Sequence, residues 1–141
     1  MATQAKTTGD WESFVRAVAS DLNAGLSALE LSEKYSGVEV HWTGQVREIK
    51  TADKFAPGIQ LDMPHVSVAL SNGRFLIADY LFLNVGGSGK GLWKTVTKGQ
   101  KISFSAKIRS GGTVFPSIDV ETFPNNAKSV LSLALEDGVP T

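Results

Sequence analysis

The chain of 141 residues has no cysteine, only two histidines and no excess of charge of either sign. Without cysteine there is no disulfide framework, no thiolate metal site and no cysteine nucleophile. Basic and acidic residues number 14 each, so the whole chain lacks the net positive charge typical of nucleic-acid-binding proteins. No apolar run is long enough to span a membrane, so we expect no membrane partner. Residues 1–9 are polar, unlike a secretory signal, and predict a disordered terminus on a cytoplasmic protein.

The balanced charge is unevenly distributed along the chain. Residues 36–125 hold ten basic and seven acidic residues, a net charge of +3. Residues 1–35 have a net charge of −2, and residues 126–141 have a net charge of −1. A mildly basic centre between acidic flanks favours an anionic ligand.

Two amphipathic helices are predicted before the first strand. Asp10 is a suitable N-cap for a helix whose apolar residues recur at three- and four-residue spacing up to Leu22. Ser27 and Glu30 have the spacing of a capping box, which predicts a second short helix ending near Lys34. An apolar stripe containing tryptophan and phenylalanine usually packs against a core, so we expect these helices to lie on the domain.

Residues 38–50 alternate between apolar and polar side chains, which is typical of a strand with one buried face. Gly44 lies on the buried parity, where the missing side chain favours close approach of a neighbouring strand. Ile49 falls on the opposite parity, which predicts a β-bulge near Arg47 and Glu48. The large apolar residues on the buried parity are Val38, Val40, Trp42 and Val46.

Two further strands are predicted over residues 59–70 and 74–83. The first changes its apolar parity at Pro64-His65, where proline cannot donate to a β-ladder, so a bulge or a sheet edge is expected. Ser71-Asn72-Gly73 carries the Asn-Gly signal of a tight hairpin turn. A glycine-rich link follows at residues 84–91, and residues 92–96 form either one helical turn or a short strand.

Residues 101–121 alternate in a way that predicts a hairpin of two strands. A three-residue turn at Ser110-Gly111-Gly112 would place Lys107 opposite Phe115 and Lys101 opposite Glu121. This register puts opposite charges and apolar pairs together, and a one-residue slip would turn the apolar set to solvent. The residues expected to be buried are Trp42, Val46, Ile102, Phe104, Ile118 and Val120.

The predicted elements describe a mostly β domain with N-terminal helices, built as a five-stranded antiparallel barrel. Residues 10–35 form a helical extension packed on the barrel, and residues 36–124 form the barrel itself. Residues 125–141 are a C-terminal extension. This division places all five strands before residue 125.

Two segments carry a resemblance to a known fold. They are Tyr-Ser-Gly-Val-Glu-Val-His-Trp-Thr-Gly-Gln-Val at 35–46 and Lys-Gly-Gln-Lys-Ile-Ser-Phe-Ser-Ala at 98–106. With the element order of residues 35–123, the chain resembles the OB-fold, a Greek-key barrel, and the bacterial tRNA-anticodon-binding-like OB proteins. The resemblance implies binding of single-stranded nucleic acid, oligosaccharide or protein on strands 2 and 3 and adjoining loops. The short predicted loop between strands 4 and 5 leaves less reach around a nucleic acid.

The enzyme motifs suggested by parts of the chain are incomplete. The run at 86–91, Gly-Gly-Ser-Gly-Lys-Gly, has Asn84 where a phosphate loop needs its first glycine, and Gly91 where the loop needs Ser or Thr. His41 and His65 lack carboxylates at metal-ligand spacing. We therefore expect a protein that is not an enzyme and that binds no metal or cofactor.

Cations and aromatic residues are interleaved in the predicted loops and on the outward strand positions. Proteins that bind single strands use cations for phosphates and aromatic faces for bases, at about 1–3 kcal/mol per stacked base. The predicted nucleic-acid-binding residues are Arg47, Lys50, Lys54, Phe55, Arg74, Tyr80, Trp93, Lys94, Lys107, Arg109 and Phe115. Phe115 is the strongest single candidate. A competing interpretation makes Tyr80 and Trp93 core residues.

Three functions remain open from the sequence. The first is a single-stranded nucleic-acid-binding module, favoured by the fold and the basic centre. The second is a protein-interaction module, a small adaptor or inhibitor, that uses the same face or the N-terminal helix. The third is a sugar- or small-molecule-binding OB domain.

Overall fold

A computed structural model describes residues 10–50, 58–84, 96–109, 117–123 and 127–141. Its elements are α1 (Trp11–Asn23), α2 (Ala28–Lys34), β1 (Glu39–Lys50), β2 (Gly58–Ala69), β3 (Phe75–Asn84), β4 (Lys101–Ile108), β5 (Ile118–Thr122) and β6 (Lys128–Pro140). Five strands form a closed ring in the order β3-β2-β1-β4-β6, because β6 also pairs with β3, and β5 is added to β6. The chain therefore has the predicted fold class, mostly β with two N-terminal helices and OB-like.

The ring is antiparallel at every pairing except β3–β6, which is parallel. This exception has a geometric cause. Strand directions cannot alternate all the way round a closed ring with an odd number of strands, so at least one neighbouring pair must run parallel. Both edges of the ring strands are then paired, which satisfies the backbone hydrogen bonds that open edges leave free.

The predicted hairpin between residues 101–108 and 114–121 is wrong. β4 lies between β1 and β6, and Lys107 pairs with Glu39 on one side and Glu136 on the other. β5 pairs instead with β6, from Ile118 opposite Leu133 to Thr122 opposite Ser129. Phe115 and the turn predicted at Ser110-Gly111-Gly112 lie outside the described residues.

The fifth strand of the ring is β6, which lies within the segment predicted as a C-terminal extension. Leu131, Leu133 and Leu135 alternate along it and are fully buried, with at most 1% of each exposed. β5 has five residues and β6 has 13, so β6 brings more apolar surface to the edge of β4. The connection from the fourth to the fifth ring strand consequently runs from residue 109 to residue 127 and includes β5.

The predicted bulges are confirmed. On β1 the register changes between Val46 and Glu48, and on β2 it changes between Asp62 and Val66, the stretch that contains Pro64. At Gly44 an added Cβ would lie 2.7 Å from the Met63 Sδ, so the close approach expected there is also present. These irregularities let β1 and β2 bend enough to take part in the ring.

The predicted helix caps are confirmed as well. The Asp10 carboxylate accepts a hydrogen bond from the Ser13 backbone N–H at 2.8 Å, which lowers the pKa of Asp10. Ser27 and Glu30 form both hydrogen bonds of the capping box. The described part of the chain contains no helix with the length and apolar character needed to cross a bilayer.

Helix α1 packs an aromatic cluster against β1. The Trp11 ring centroid lies 5.2 Å from that of Trp42, and the Phe14 centroid lies 5.3 Å from the same ring. The Trp11 indole N–H also donates to the Pro64 carbonyl at 2.7 Å, which joins the helix to the β2 bulge. Phe14 contacts Tyr35 edge-on, so the cluster extends to the end of α2.

The two helices are tied together at Asp21. Its carboxylate accepts hydrogen bonds from the Tyr35 hydroxyl and from the Lys34 ammonium, each at 2.7 Å. Burial, reinforced by the Asp21 carboxylate, raises the pKa of Tyr35 well above its ordinary value. On the other side of α2, the Ser32 hydroxyl oxygen accepts the Ile118 backbone N–H at 3.0 Å, which attaches the helix to β5.

The residues predicted to be buried lie in a single core. Trp42, Val46, Ile102, Phe104 and Ile118 are buried, and Val120 is half-buried against them. Alternation along each strand therefore identified the inward face correctly. The opposite, outward faces of β1, β2 and β3 are where the candidate site lies.

Candidate nucleic-acid interface

Arg47 projects from the bulge of β1 onto the outer face of the ring. Val46 lies opposite Leu61 and Glu48 lies opposite Gln60, so Arg47 is the extra residue of the bulge. A bulge redirects a side chain that would otherwise follow the regular alternation. About half of the Arg47 side chain is exposed, and its guanidinium is directed along the surface toward β2 and β3.

The Arg47 guanidinium has two partners on the neighbouring strands. It forms an ion pair with the Asp62 carboxylate of β2, and its central carbon lies 6.0 Å from the centre of the Tyr80 ring of β3. Asp62 and Tyr80 are directly opposite each other in the β2–β3 register, so the three side chains cross three adjacent strands. The ion pair is partly exposed and therefore weak, in the range of about 0–1 kcal/mol.

Tyr80 is followed on the same face by Phe82. Their ring centroids are 5.5 Å apart and the rings are nearly perpendicular, at 89°. Residues two apart on a strand point to the same side, and the flanking Leu81 and Leu83 are fully buried. Phe82 keeps 39% of its surface exposed, so part of this side chain is accessible to a ligand.

Lys101 of β4 lies in the same row across the sheet as Asp62 and Tyr80. Gln45 of β1 is opposite both Asp62 of β2 and Lys101 of β4, so two strand spacings, roughly 10 Å, separate Lys101 from Asp62. The Gln45 side-chain amide donates to the Gly99 carbonyl at 3.0 Å and holds the turn that leads into β4. Lys98 lies in that turn and Lys101 follows it, and both are exposed.

The remaining outer surface of β1 and β4 is polar. The Thr43 and Ser103 hydroxyls are 2.7 Å apart, and the His41 Nε2 lies 2.7 Å from the Glu39 carboxylate. The other histidine, His65, lies 3.6 Å from a carboxylate oxygen of Asp79 at the β2 bulge. Within the described ranges, no three His, Asp or Glu side chains come together as a metal ion requires.

Of the predicted site residues whose side chains are described, the fold brings Arg47 and Tyr80 together and places Arg74, Lys107 and Arg109 elsewhere. Arg74 lies at the start of β3, where its guanidinium donates to the backbone carbonyls of Phe123 and Lys128 at 3.1 and 3.2 Å. Lys107 lies in register with Glu39, eight residues from Arg47 along β1 and therefore roughly 26 Å from it.

Arg109 follows β4, and its backbone N–H donates to the Ala134 carbonyl at 3.3 Å. Its side chain is half-buried. Lys50, another predicted site residue, is the last residue of β1. The other predicted site residues lie outside the described residues: Lys54, Phe55, Trp93, Lys94 and Phe115.

Sequence reasoning missed Phe82 and Lys101. Phe82 lies in a run that is apolar on both faces of β3, so alternation does not show which ring is outward. Lys101 was paired with Glu121 by the wrong hairpin and therefore excluded from the candidates. The pairing of β4 with β1 would have shown that Lys101 lies on the row of Arg47 and Tyr80.

The ring topology and the outer face define an OB-like module. A comparison of structures matches the chain to a proposed nucleic acid-binding lipoprotein from Klebsiella pneumoniae, with 9% sequence identity and a TM-score of 0.41. The match covers 95% of this chain and 92% of that chain. No protein-family model and no curated protein sequence matches the chain.

Proposed function

We propose that this protein is a non-enzymatic module that binds single-stranded nucleic acid on the outer face of β1, β2 and β3. The main support for the proposal is the contact of the Arg47 guanidinium with the Tyr80 ring, which lies next to the exposed Phe82 side chain. Bases stack on exposed aromatic rings, and guanidinium groups bind phosphates. In OB-like folds the same region of the sheet binds oligonucleotides.

The cationic side of the face complements the aromatic side. Lys98 and Lys101 lie on the β4 side of Arg47, whereas Tyr80 and Phe82 lie on the β3 side. A strand with its bases on β3 can therefore direct its phosphates toward β1 and β4.

The proposal is tested by fluorescence anisotropy with labelled oligothymidylate and oligouridylate at low and moderate salt. Phe82→Ala and Tyr80→Ala should each weaken binding by about 1–3 kcal/mol, because each removes a stacking surface. The apparent affinity should fall with salt, with a slope of about −0.7 for each phosphate contacted by a cation.

Tyr80→Phe is the matched control, because it keeps the ring and removes only the hydroxyl. Its affinity should stay close to that of the wild-type protein, and thermal unfolding should show that all three variants are folded. Absence of binding to both oligonucleotides at low salt would contradict the proposal. Equal losses for Tyr80→Phe and Tyr80→Ala would show that stacking on the ring is not responsible.

A further inference from the structure

A second group of aromatic side chains lies on the outer face of the sheet, at the opposite end of β3 from Phe82. Phe75 begins β3 and keeps 47% of its surface exposed, and Phe123 follows β5 with 39% exposed. Phe75 lies opposite Lys128 of β6, and the Phe123 backbone N–H donates to the Lys128 carbonyl at 3.2 Å. The order across the three strands is therefore aromatic, cation, aromatic.

Arg74 connects the strands of this group through hydrogen bonds to backbone carbonyls. Its guanidinium donates to the carbonyls of Phe123 and Lys128, while the Phe75 N–H donates to the Ala127 carbonyl at 2.7 Å. These bonds connect the start of β3 to the turn between β5 and β6. Arg74 thus positions Phe75 and Phe123 relative to each other, a role different from the phosphate contact predicted from the sequence.

The two aromatic groups share one strand and one face. Leu76, Ala78, Leu81 and Leu83 are the fully buried residues of β3. The buried positions change parity between Ala78 and Leu81, so Phe75 and Phe82 both point outward although they are seven residues apart. This separation is roughly 23 Å at about 3.3 Å per residue. Between them lie Ile77, which has the same parity as Phe75, and the β2 bulge with His65 beside the Asp79 carboxylate.

We propose that Phe75, Lys128 and Phe123 form a second stacking site for the same nucleic-acid strand, which runs along β3 from Phe82 to Phe75. This inference rests on the proposed function. A protein interface is disfavoured here, because the cores of such interfaces are depleted in lysine, whereas Lys128 lies between the two rings. Cations that contact phosphates and aromatic side chains that stack bases are the two components of single-strand binding sites.

The spacing sets the length of nucleic acid required. A stacked strand rises about 3.4 Å per nucleotide, so roughly seven nucleotides cover the 23 Å between Phe82 and Phe75. This length lies within the range of about 4–16 nucleotides that a single OB-fold binds. On β5, Asp119 and Glu121 occupy the outer positions that precede Phe123.

The test compares oligothymidylates of about 3 and about 12 nucleotides, because only the longer one can reach both aromatic groups. Phe75→Ala should weaken binding of the longer oligonucleotide by about 5- to 150-fold and leave binding of the shorter one unchanged. Phe82→Ala should weaken both. Phe75→Leu keeps an apolar side chain without a ring and should behave like Phe75→Ala.

Leu29→Ala is the control, since Leu29 is a similarly exposed apolar residue on α2, with 43% of its surface exposed. It should leave both affinities unchanged. If the longer oligonucleotide binds Phe75→Ala as tightly as wild type, the second site is overturned and the proposed function stands. If neither oligonucleotide binds the wild-type protein, the second site and the proposed function are both contradicted. Self-association that Phe75→Ala abolishes, with oligonucleotide affinity unaltered, would assign the patch to a second copy and overturn the proposal.

Discussion

At the scale of single residues, the central feature is Arg47. Its two partners, the Tyr80 ring and the Asp62 carboxylate, have opposite expected effects on the proposed binding. The guanidinium lies 6.0 Å from the centre of the Tyr80 ring and forms an ion pair with the Asp62 carboxylate. Under the proposed function, the ring stacks a base and the carboxylate competes with a phosphate for Arg47. Because the ion pair is partly exposed, we expect a phosphate to replace the carboxylate at small cost.

Replacing Asp62 by asparagine should therefore strengthen binding. Asp62→Asn removes a negative charge from the face and frees Arg47 for a phosphate, so affinity for oligothymidylate at low salt should rise by up to about fivefold, or 1 kcal/mol. The plot of log affinity against log salt should become steeper, because one more cation contacts a phosphate. Anisotropy titrations over a range of salt concentrations measure both quantities.

The control removes the carboxylate of a more exposed ion pair elsewhere. Glu12 pairs with Arg16 on α1 at 3.0 Å, away from the sheet face. Glu12→Gln changes the net charge by the same amount as Asp62→Asn and should leave both affinity and slope nearly unchanged. Equal gains in the two variants would mean that net charge, and not the release of Arg47, controls binding.

At the scale of elements, β6 determines the architecture. It closes the ring against β3, pairs with β4 and supports β5. Gly138 lies where β6 passes over the buried Leu83 of β3, and a Cβ added at that glycine would come within 2.6 Å of a Leu83 methyl carbon. The tight contact makes this glycine a sensitive probe of whether β6 is part of the core.

Gly138→Ala should destabilise the protein by about 1–3 kcal/mol, because Leu83 is fully buried and must shift to accept the methyl group. Chemical denaturation monitored by fluorescence measures the loss. Gly58→Ala is the control, since the nearest atoms to its added Cβ are 3.8 Å away. That change should stay within about 0.5 kcal/mol. A neutral Gly138→Ala would show that β6 does not close the ring.

At the scale of the whole molecule, α1 and the ring form one packed unit. The helix contributes Trp11, Phe14, Val15 and Val18 to the same core as the strands, and its indole is bonded to the β2 bulge. A domain with a single shared core unfolds as one cooperative unit. The proposed binding face lies on the outside of this unit, so we expect that stability and binding can be changed separately.

Trp11→Phe should lower stability by about 1 kcal/mol or more, because it removes the hydrogen bond to the Pro64 carbonyl and part of the buried ring. Far-UV circular dichroism and tryptophan fluorescence should still report one coincident thermal transition at a lower temperature. Oligothymidylate affinity should be unchanged at temperatures where the variant is folded.

Arg16→Ala, on the exposed side of the same helix, is the control and should shift stability by no more than about 0.5 kcal/mol. Two separate transitions in Trp11→Phe, with helical signal lost before the fluorescence change, would contradict the view that α1 and the ring are one unit.

The sequence alone determined the features that depend on neighbours along the chain. Helix caps at Asp10 and Ser27, the bulge near Arg47, and the inward parity of Trp42 and Phe104 all follow from contacts or alternation within a few residues. It also identified Arg47 and Tyr80 as candidates, from their chemistry and their outward or loop positions. None of these conclusions requires knowing which strands are neighbours.

Only the tertiary structure decided which strands pair. Residues 114–121 and 128–140 both carry an inward apolar parity, and alternation cannot choose between them for the edge of β4. The longer strand, β6, pairs with β4 because it buries three leucines and also pairs with β3. That choice placed Lys107 between Glu39 and Glu136 and placed Lys101 in the row of Asp62 and Tyr80. The contact between Arg47 and Tyr80 likewise exists because β2 lies between their strands, a relation that local pattern does not contain.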